Sequence, residues 1–140
     1  MTPEAFAKLH AVCFDIPPPW SARDFSSLLT DASCIVYTHA SEQDLLAFVI
    51  FRVAADEAEL LTLATAPDAR RMGLARTLIQ KGLREAARRG ATQCFLEVAE
   101  TNLPARRLYS SFGFVEIATR RGYYHANGKS YDAVICKAKL

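Results

Sequence analysis

From Leu74 to Arg89 the chain alternates in pairs. Apolar or small residues fall at 74–75, 78–79, 82–83 and 86–87, and polar ones at 76–77, 80–81, 84–85 and 88–89. That period is the mark of an amphipathic helix laid over a sheet. Arg88 and Arg89 suit its last turn, and Gly90 its C-cap. Upstream, residues 3–13 predict a helix whose apolar stripe is Phe6, Leu9, Val12 and Cys13, stopped by Pro17-Pro18-Pro19. Ser21 can cap a second, short helix to about residue 29, with Phe25, Leu28 and Leu29 on its apolar side. Residues 33–39 and 45–53 read as strands separated by the polar loop SEQD. A third strand covers 57–65, completing a three-strand meander. After the long helix comes a strand at 92–98 with almost no polar residue before Glu97. Asn102 can cap a helix of about 103–112, where Pro104 is tolerated in the first turn and Gly113 makes the stop. Residues 114–120 and 131–137 predict a closing hairpin whose loop contains Asn127-Gly128. The order is ααβββαβαββ. Strands on both sides of a crossover helix imply a mixed sheet in an α/β layered domain.

Composition narrows the class. A chain of 140 residues is one domain's worth, 1–140, and with 51% hydrophobic and 23% charged residues it can build a real core. A net charge of +2 is too small to argue for nucleic acid. Cys13, Cys34, Cys94 and Cys136 are scattered, with no CxxC pair. They read as reduced thiols of a cytoplasmic protein. His10, His39 and His125 form no constellation, so no metal is expected. The opening MTPEAFAKLH lacks a basic region followed by an apolar run, and no signal peptide is expected from it. No apolar run approaches the ~18–20 residues that cross a bilayer.

One stretch conflicts with its own prediction. In DARRMGLARTLIQKG, Arg70, Arg71 and Arg76 crowd the start of the long helix, where the macrodipole is already positive. Like charge there costs from a few tenths to ~1 kcal/mol per residue. The conflict disappears if the three share one anion, because free N–H groups at a helix start form an anion site and Gly73 lets a ligand approach the backbone. Spacing alone weighs this evenly against three solvated arginines. No GxxxxGK[ST] and no GxGxxG occurs, which excludes a P-loop and a dinucleotide fingerprint.

Arg70-Arg71-Met72-Gly73-Leu74-Ala75 resembles the [Q/R]-x-x-G-x-[G/A] signature of the GCN5-related N-acetyltransferase (GNAT) superfamily. FLEVAETNLPARRLYSSFGF is similar to that superfamily's LEV-x-x-x-N and LY-x-x-x-GF block. With RRGYYHANGKSYDAVIC and the early Pro19-Trp20-Ser21, the chain resembles most the bacterial ribosomal-protein-alanine group of that family, the RimI type. The resemblance implies a mixed, mostly antiparallel central sheet flanked by helices, with the family's usual first strand abbreviated or absent. It implies acetyl-CoA as cosubstrate and no metal. Carried over by position, a bulged strand segment at Leu63, Ala64 and Thr65 would bond the pantetheine arm. The loop Arg71, Met72, Gly73, Leu74, Ala75 and Arg76 would hold the pyrophosphate, with Ala75 in place of a second glycine. Asn102 matches a cofactor-contacting asparagine of the family and is also a plain helix cap. His125 stands where a proline is common in this group, and Tyr131 precedes Asp132 where an acidic residue often sits.

Acetyl transfer to an amine needs a base, donors for a developing oxyanion and a proton for the leaving thiolate. An α-ammonium, with pKa of roughly 7.7–8.0, is easily deprotonated near neutral pH. Strand amides near 63–65 could supply the donors. Alternation puts Cys94, Leu96 and Val98 on one face of their strand, and Phe95 and Glu97 on the other. Glu97, near the end of an apolar strand, is the candidate base, directly or through water; the alternative is an exposed or salt-bridged glutamate. Tyr109, in the LY-x-x-x-GF block, is the candidate acid; the alternative is a core aromatic beside Leu108 and Phe112. Trp20, Tyr123, Tyr124 and Tyr131 are candidates for the acceptor groove, while Arg106, Arg107, Arg120 and Arg121 read as solvated faces. Three functions stay open: an acetyltransferase acting on a protein N-terminus such as that of a ribosomal protein, one acting on a small amine, and a non-catalytic acyl-CoA-binding domain. No membrane or nucleic-acid partner is expected.

Overall fold

Six strands form one sheet in the order β1-β2-β3-β4-β6-β5. They are β1 (Cys34–Ser41), β2 (Asp44–Ala54), β3 (Glu57–Thr65), β4 (Gln93–Ala99), β5 (Val115–Ala126) and β6 (Lys129–Lys139). Helices α1 (Pro3–Cys13) and α2 (Ala22–Leu29) precede the sheet, α3 (Leu74–Arg88) crosses from β3 to β4, and α4 (Leu103–Ser111) joins β4 to β5. Every adjacent pair is antiparallel except β3–β4. The computed structural model describes all of residues 1–140, in the ααβββαβαββ order that the hydrophobic pattern predicts. No helix is long and apolar enough to cross a membrane.

The two sheet faces carry separate cores. Val49, Phe51, Leu60, Leu96, Val98 and Val134 pack with Leu78, Ile79 and Ala86 of α3 and with Tyr109 of α4. On the other face Phe6, Leu9 and Phe25 of α1 and α2 cover Leu45, Phe48, Ile50 and Ala64. Gly82 is what brings α3 this close: a Cβ there would overlap the ring of Phe51. Burying the larger of these side chains contributes about 1.5–3 kcal/mol each, as an upper estimate.

Several expectations shift. Val12 is exposed, and His10 takes its place on the stripe of α1 beside Phe6 and Leu9. Positions 6, 9, 10 and 13 fit one helical face better than 6, 9, 12 and 13 do. The loop SEQD contracts to a two-residue turn between β1 and β2, with Glu42 at φ 52°. The closing hairpin is longer than predicted, its strands meeting at an Asn127-Gly128 turn with φ 53° and 73°. Both positive angles suit the twist of a tight hairpin. Residues 121–123, which the sequence leaves to the hairpin loop, are a bulge: pairing moves from Arg120 with Ala133 to Tyr124 with Tyr131. Asp132 Oδ1 accepts the freed Gly122 N–H at 2.9 Å.

Two irregularities position the site. β3 and β4 pair only between Glu57–Glu59 and Gln93–Phe95, although β4 stays paired with β6 along its whole length. Beyond Glu59 the two strands part, leaving backbone groups of β3 without a partner on that side. Within β3 the register to β2 jumps from Leu60 with Phe51 to Thr62 with Ile50, so Leu61 is the extra residue of a bulge.

Candidate active site

A single 3₁₀ turn at Pro67–Ala69 ends β3, and the chain loops through Arg70–Gly73 before α3 begins at Leu74. The sequence alone starts this helix just after Pro67. Instead Arg71 at φ 65° and Gly73 at φ 75° both take the left-handed conformation, which no α-helix accommodates. Gly73 is the N-cap and supplies no side-chain cap, and the first helical bond runs from the Thr77 N–H to the Gly73 carbonyl. The amides of Leu74, Ala75 and Arg76 therefore open into a concavity of about 290 Å³ that Arg70, Arg71 and Arg76 also line. Two of the arginines are held in place: Arg70 Nε donates to the Thr65 carbonyl at 3.2 Å, and Arg76 donates to Ser111 Oγ at 2.9 Å. Arg76 also lies over the Phe112 ring, 5.1 Å from its centroid. A helix start with free amides and three fixed or flanking cations is built for a multiply charged anion.

A larger cavity, about 580 Å³, passes through the gap where β3 and β4 part. On one side stand Trp20, Tyr123 and Tyr124 with Glu97; on the other, Leu63, Asn102 and Tyr109. Glu97 lies on the side opposite buried Leu96 and Val98, as strand alternation requires. Its Oε1 accepts from Arg120 Nη1 at 2.9 Å. Arg120 in turn lies over Tyr123, 3.8 Å from the ring centroid. Arg120 thus stays exposed, as the sequence suggests, while neighbouring the site. Arg106 departs from that reading, because it is only partly exposed and forms an ion pair with Glu116 at 2.7 Å. Both partners lie on other strands, which no local pattern reveals.

Tyr109 is nearly buried, and it packs edge-on to Phe114 with centroids 6.0 Å apart. Its hydroxyl finds no partner within the chain, yet no sealed side-chain oxygen is left unsatisfied, so it faces the cavity. Burial pushes its phenol upward, keeping it protonated across neutral pH. Burial also pushes Tyr124 up to about 12, helped by the charge of Glu97. Asn102 Oδ1 accepts from the Ala105 N–H at 3.3 Å, capping α4 while lining the cavity.

The remaining sequence candidates divide. Thr65, Arg71, Gly73, Leu74, Ala75 and Arg76 line the anion cradle. Met72 sits in the same loop with its side chain in solvent, and the side chain of Ala64 is buried toward α1 and α2. Tyr131 does not line the cavity; it pairs with Tyr124 across the hairpin. Two titratable lining residues escaped sequence reasoning. Glu59 interrupts the apolar run of β3, and partial burial followed by the charge of Glu97 raises its carboxyl. A second acid inside an otherwise apolar strand was a visible signal. His10 is buried, and burial lowers its imidazole to about 4. The stripe 6, 9, 10, 13 could have revealed it.

Comparison with known proteins agrees with this fold. The model of the acetyltransferase (GNAT) family matches residues 4–114. The ribosomal protein bS18-alanine N-acetyltransferase of Escherichia coli K12 is 36% identical over 117 residues, 84% of this chain and 78% of that one. The crystal structure of the Escherichia coli ribosomal-protein-S18-alanine N-acetyltransferase superposes with a TM-score of 0.87 at 32% identity, covering 97% of this chain and 86% of the other. Arabidopsis thaliana NAA60, solved with a bisubstrate analogue, shares the fold at 19% identity and TM-score 0.84, covering 100% of this chain and 96% of its own.

Proposed function

The chain belongs to the acetyltransferase (GNAT) family and is an N-acetyltransferase, and from that premise we propose that it moves the acetyl group of acetyl-CoA onto the N-terminal α-amino group of a protein, foremost a ribosomal protein beginning with alanine. The observation that carries the reading is the through-sheet cavity. It joins an aromatic entrance at Trp20, Tyr123 and Tyr124 to Tyr109 and Asn102 on the far side, with Glu97 at the crossing. The relatives' activity on a ribosomal protein supports the choice of acceptor. The four cysteines are free, which suits a cytoplasmic setting.

The residues present fit the cosubstrate. A Cβ at Gly73 would meet nothing within 4 Å, so the space over the cradle is open, and the uncapped amides of Leu74–Arg76 suit a pyrophosphate. Arg71 and Arg76 would balance its charge, while Met72 contributes only its backbone to the loop. The backbone of Leu63, Ala64 and Thr65, unpaired on the side of β4, would bond an extended amide-bearing arm much as another strand would. Asn102 would contact the same arm. When bound, acetyl-CoA supplies the acetyl group on a thioester.

The protein's own groups then handle protons. Glu97 accepts a proton from the acceptor ammonium, directly or through one water, once Arg120 yields its place to that cation. The amides of β3 near Leu63 orient and polarise the reacting carbonyl. Tyr109, protonated and aimed into the cavity, donates its proton to the departing sulfur. Trp20, Tyr123 and Tyr124 exclude water around the acceptor, and Tyr131 stiffens the hairpin behind Tyr124.

An assay of coenzyme A release over peptides beginning with Ala, Ser or Met and over free small amines tests the reading. Turnover of an Ala-starting peptide is expected. Turnover of free amines with no peptide active would overturn it.

A further inference from the structure

His10 connects the entrance wall to the bulge of β3. Its Nδ1 accepts the Trp20 backbone N–H at 3.0 Å, and its Nε2 lies 3.1 Å from Thr62 Oγ1. A neutral imidazole has one donor and one acceptor nitrogen. Because Nδ1 accepts, Nε2 carries the hydrogen and donates to Thr62. Trp20 is 10 residues ahead in the chain and Thr62 is 52 residues ahead, so the ring joins the segment before α2 to β3. Its faces are occupied too: Phe14 stacks at 4.3 Å and Trp20 at 5.2 Å between centroids. Thr62 immediately follows Leu61, the extra residue of the bulge, and His10, Phe14, Trp20 and Thr62 all line the cavity that holds Glu97.

From this geometry we infer that His10 is a positioning residue for the acceptor: it fixes the Phe14–Trp20 wall relative to the bulged segment of β3. The inference rests on reading the aromatic side of the cavity as the acceptor entrance. The segment between α1 and α2 contains Pro17-Pro18-Pro19, which donate no backbone hydrogen bonds. The Trp20 N–H is the first donor after them, and His10 receives it. Without that bond the wall keeps its apolar contacts but loses its register against β3. His10 touches no reacting atom, and it acts on acceptor binding through Trp20. The cradle for the pyrophosphate is lined from Thr65 onward and shares no lining residue with this wall.

Three variants test it. His10→Phe keeps an aromatic ring and removes both hydrogen bonds. His10→Asn can still accept the Trp20 N–H through its amide oxygen. Thr62→Val removes only the partner of Nε2. The readouts are acceptor KM, kcat, acetyl-CoA Kd and amide exchange at Trp20 followed by NMR. His10→Phe is expected to raise acceptor KM at least tenfold and speed Trp20 exchange at least tenfold. Acetyl-CoA Kd and kcat should stay within about twofold. His10→Asn should recover most of both losses, and Thr62→Val should fall between. Unchanged Trp20 exchange in His10→Phe overturns the inference, as does an equal loss of acetyl-CoA and acceptor binding. An Asn variant no better than Phe overturns it too. If His10→Phe fails to fold, Thr62→Val and His10→Asn carry the same comparison. Exchange at Trp20 needs no acceptor, so a wrong assignment of the acceptor as a protein N-terminus shows in the amine panel and leaves this readout intact.

Discussion

Arg120 Nη1 and Glu97 Oε1 stand 2.9 Å apart, joining β5 to β4 at the mouth of the cavity. Both side chains remain partly exposed, 48% and 28%, so the pair contributes at most ~1 kcal/mol to stability. Its consequence is for access. In the proposed reaction Arg120 yields Glu97 to the acceptor ammonium, so Arg120→Gln should leave Tm nearly unchanged and lower acceptor KM by at most about fivefold, the factor that ~1 kcal/mol corresponds to. Thermal unfolding and steady-state kinetics over acceptor concentration check this. An acceptor KM that rises in the variant would mean that Arg120 helps to hold the acceptor and does not compete with it for Glu97.

Removing the proposed proton carriers should separate chemistry from binding. Glu97→Gln and Tyr109→Phe preserve shape, and neither residue lines the cradle. General acid or base catalysis contributes typically ~10²–10⁴ in rate. Each variant should lose turnover within that range, while acetyl-CoA affinity measured by calorimetry changes little. Full turnover in Glu97→Gln removes it as the base.

Gly73 tests the cradle. Its φ of 75° costs any other L-residue about 1–2 kcal/mol, but a Cβ there meets no protein atom. Gly73→Val should lower Tm by only a few degrees, whereas its branched side chain would occupy the space over the helix amides. Acetyl-CoA Kd should rise at least tenfold, a loss of about 1.4 kcal/mol. Normal affinity in a folded variant would sink the pyrophosphate assignment.

Gly82 gives the opposite pattern. Its missing Cβ is filled by Phe51, so Gly82→Ala overpacks the interface between α3 and β2. Overpacking costs about 1–3 kcal/mol. A chain of this length loses roughly 4 °C in Tm per kcal/mol. A loss of several degrees is expected in thermal unfolding, with acetyl-CoA affinity preserved below the transition. A variant as stable as the parent would show that the ring of Phe51 moves aside freely.

What the sequence revealed follows from the range of each interaction. The pairwise pattern of 74–89, the Ser21 cap and the Asn127-Gly128 turn are local signals, and α3, α2 and the hairpin form where they point. The charged turn before α3 was legible because Arg70, Arg71, Gly73 and Arg76 lie close together in the chain. The bulge of β3 was implied only by resemblance and at Leu63–Thr65, whereas it falls at Leu61 and 63–65 pair regularly with β2; a bulge is a mismatch between two strands, and neither strand carries it alone. The pairs Arg120–Glu97 and His10–Thr62 are 23 and 52 residues apart, so each is created only when the sheet closes. Glu59 was visible as an acid in an apolar strand, but its proximity to Glu97 depends on β3 and β4 being neighbours.

His10 also predicts a pH dependence of stability. In the unfolded chain an imidazole titrates near 6.5, whereas burial holds this one near 4. Above pH 6.5 it is neutral in both states and contributes no slope. Between 6.5 and 4 only the unfolded chain takes up the proton, so stability falls as pH falls. Below 4 both states are protonated and the loss is complete, on the order of 3 kcal/mol. Carboxyls lowered in the folded state act deeper in acid: hydrogen bonds from Arg88 and Arg89 hold Glu85 near 2, and those from Ser21 and Ser33 lower Asp24 and Asp31. Glu59, raised by burial and by Glu97, works in the opposite direction and trims the slope. The interval from 6.5 to about 4.5 therefore belongs mainly to His10. Urea unfolding at pH 7 and pH 5 should show the parent losing about 2 kcal/mol across it. His10→Phe, with no group to protonate, should show a much smaller loss. Equal losses in the two proteins would mean that His10 is not held neutral by the fold, and the acid sensitivity would have to come from elsewhere.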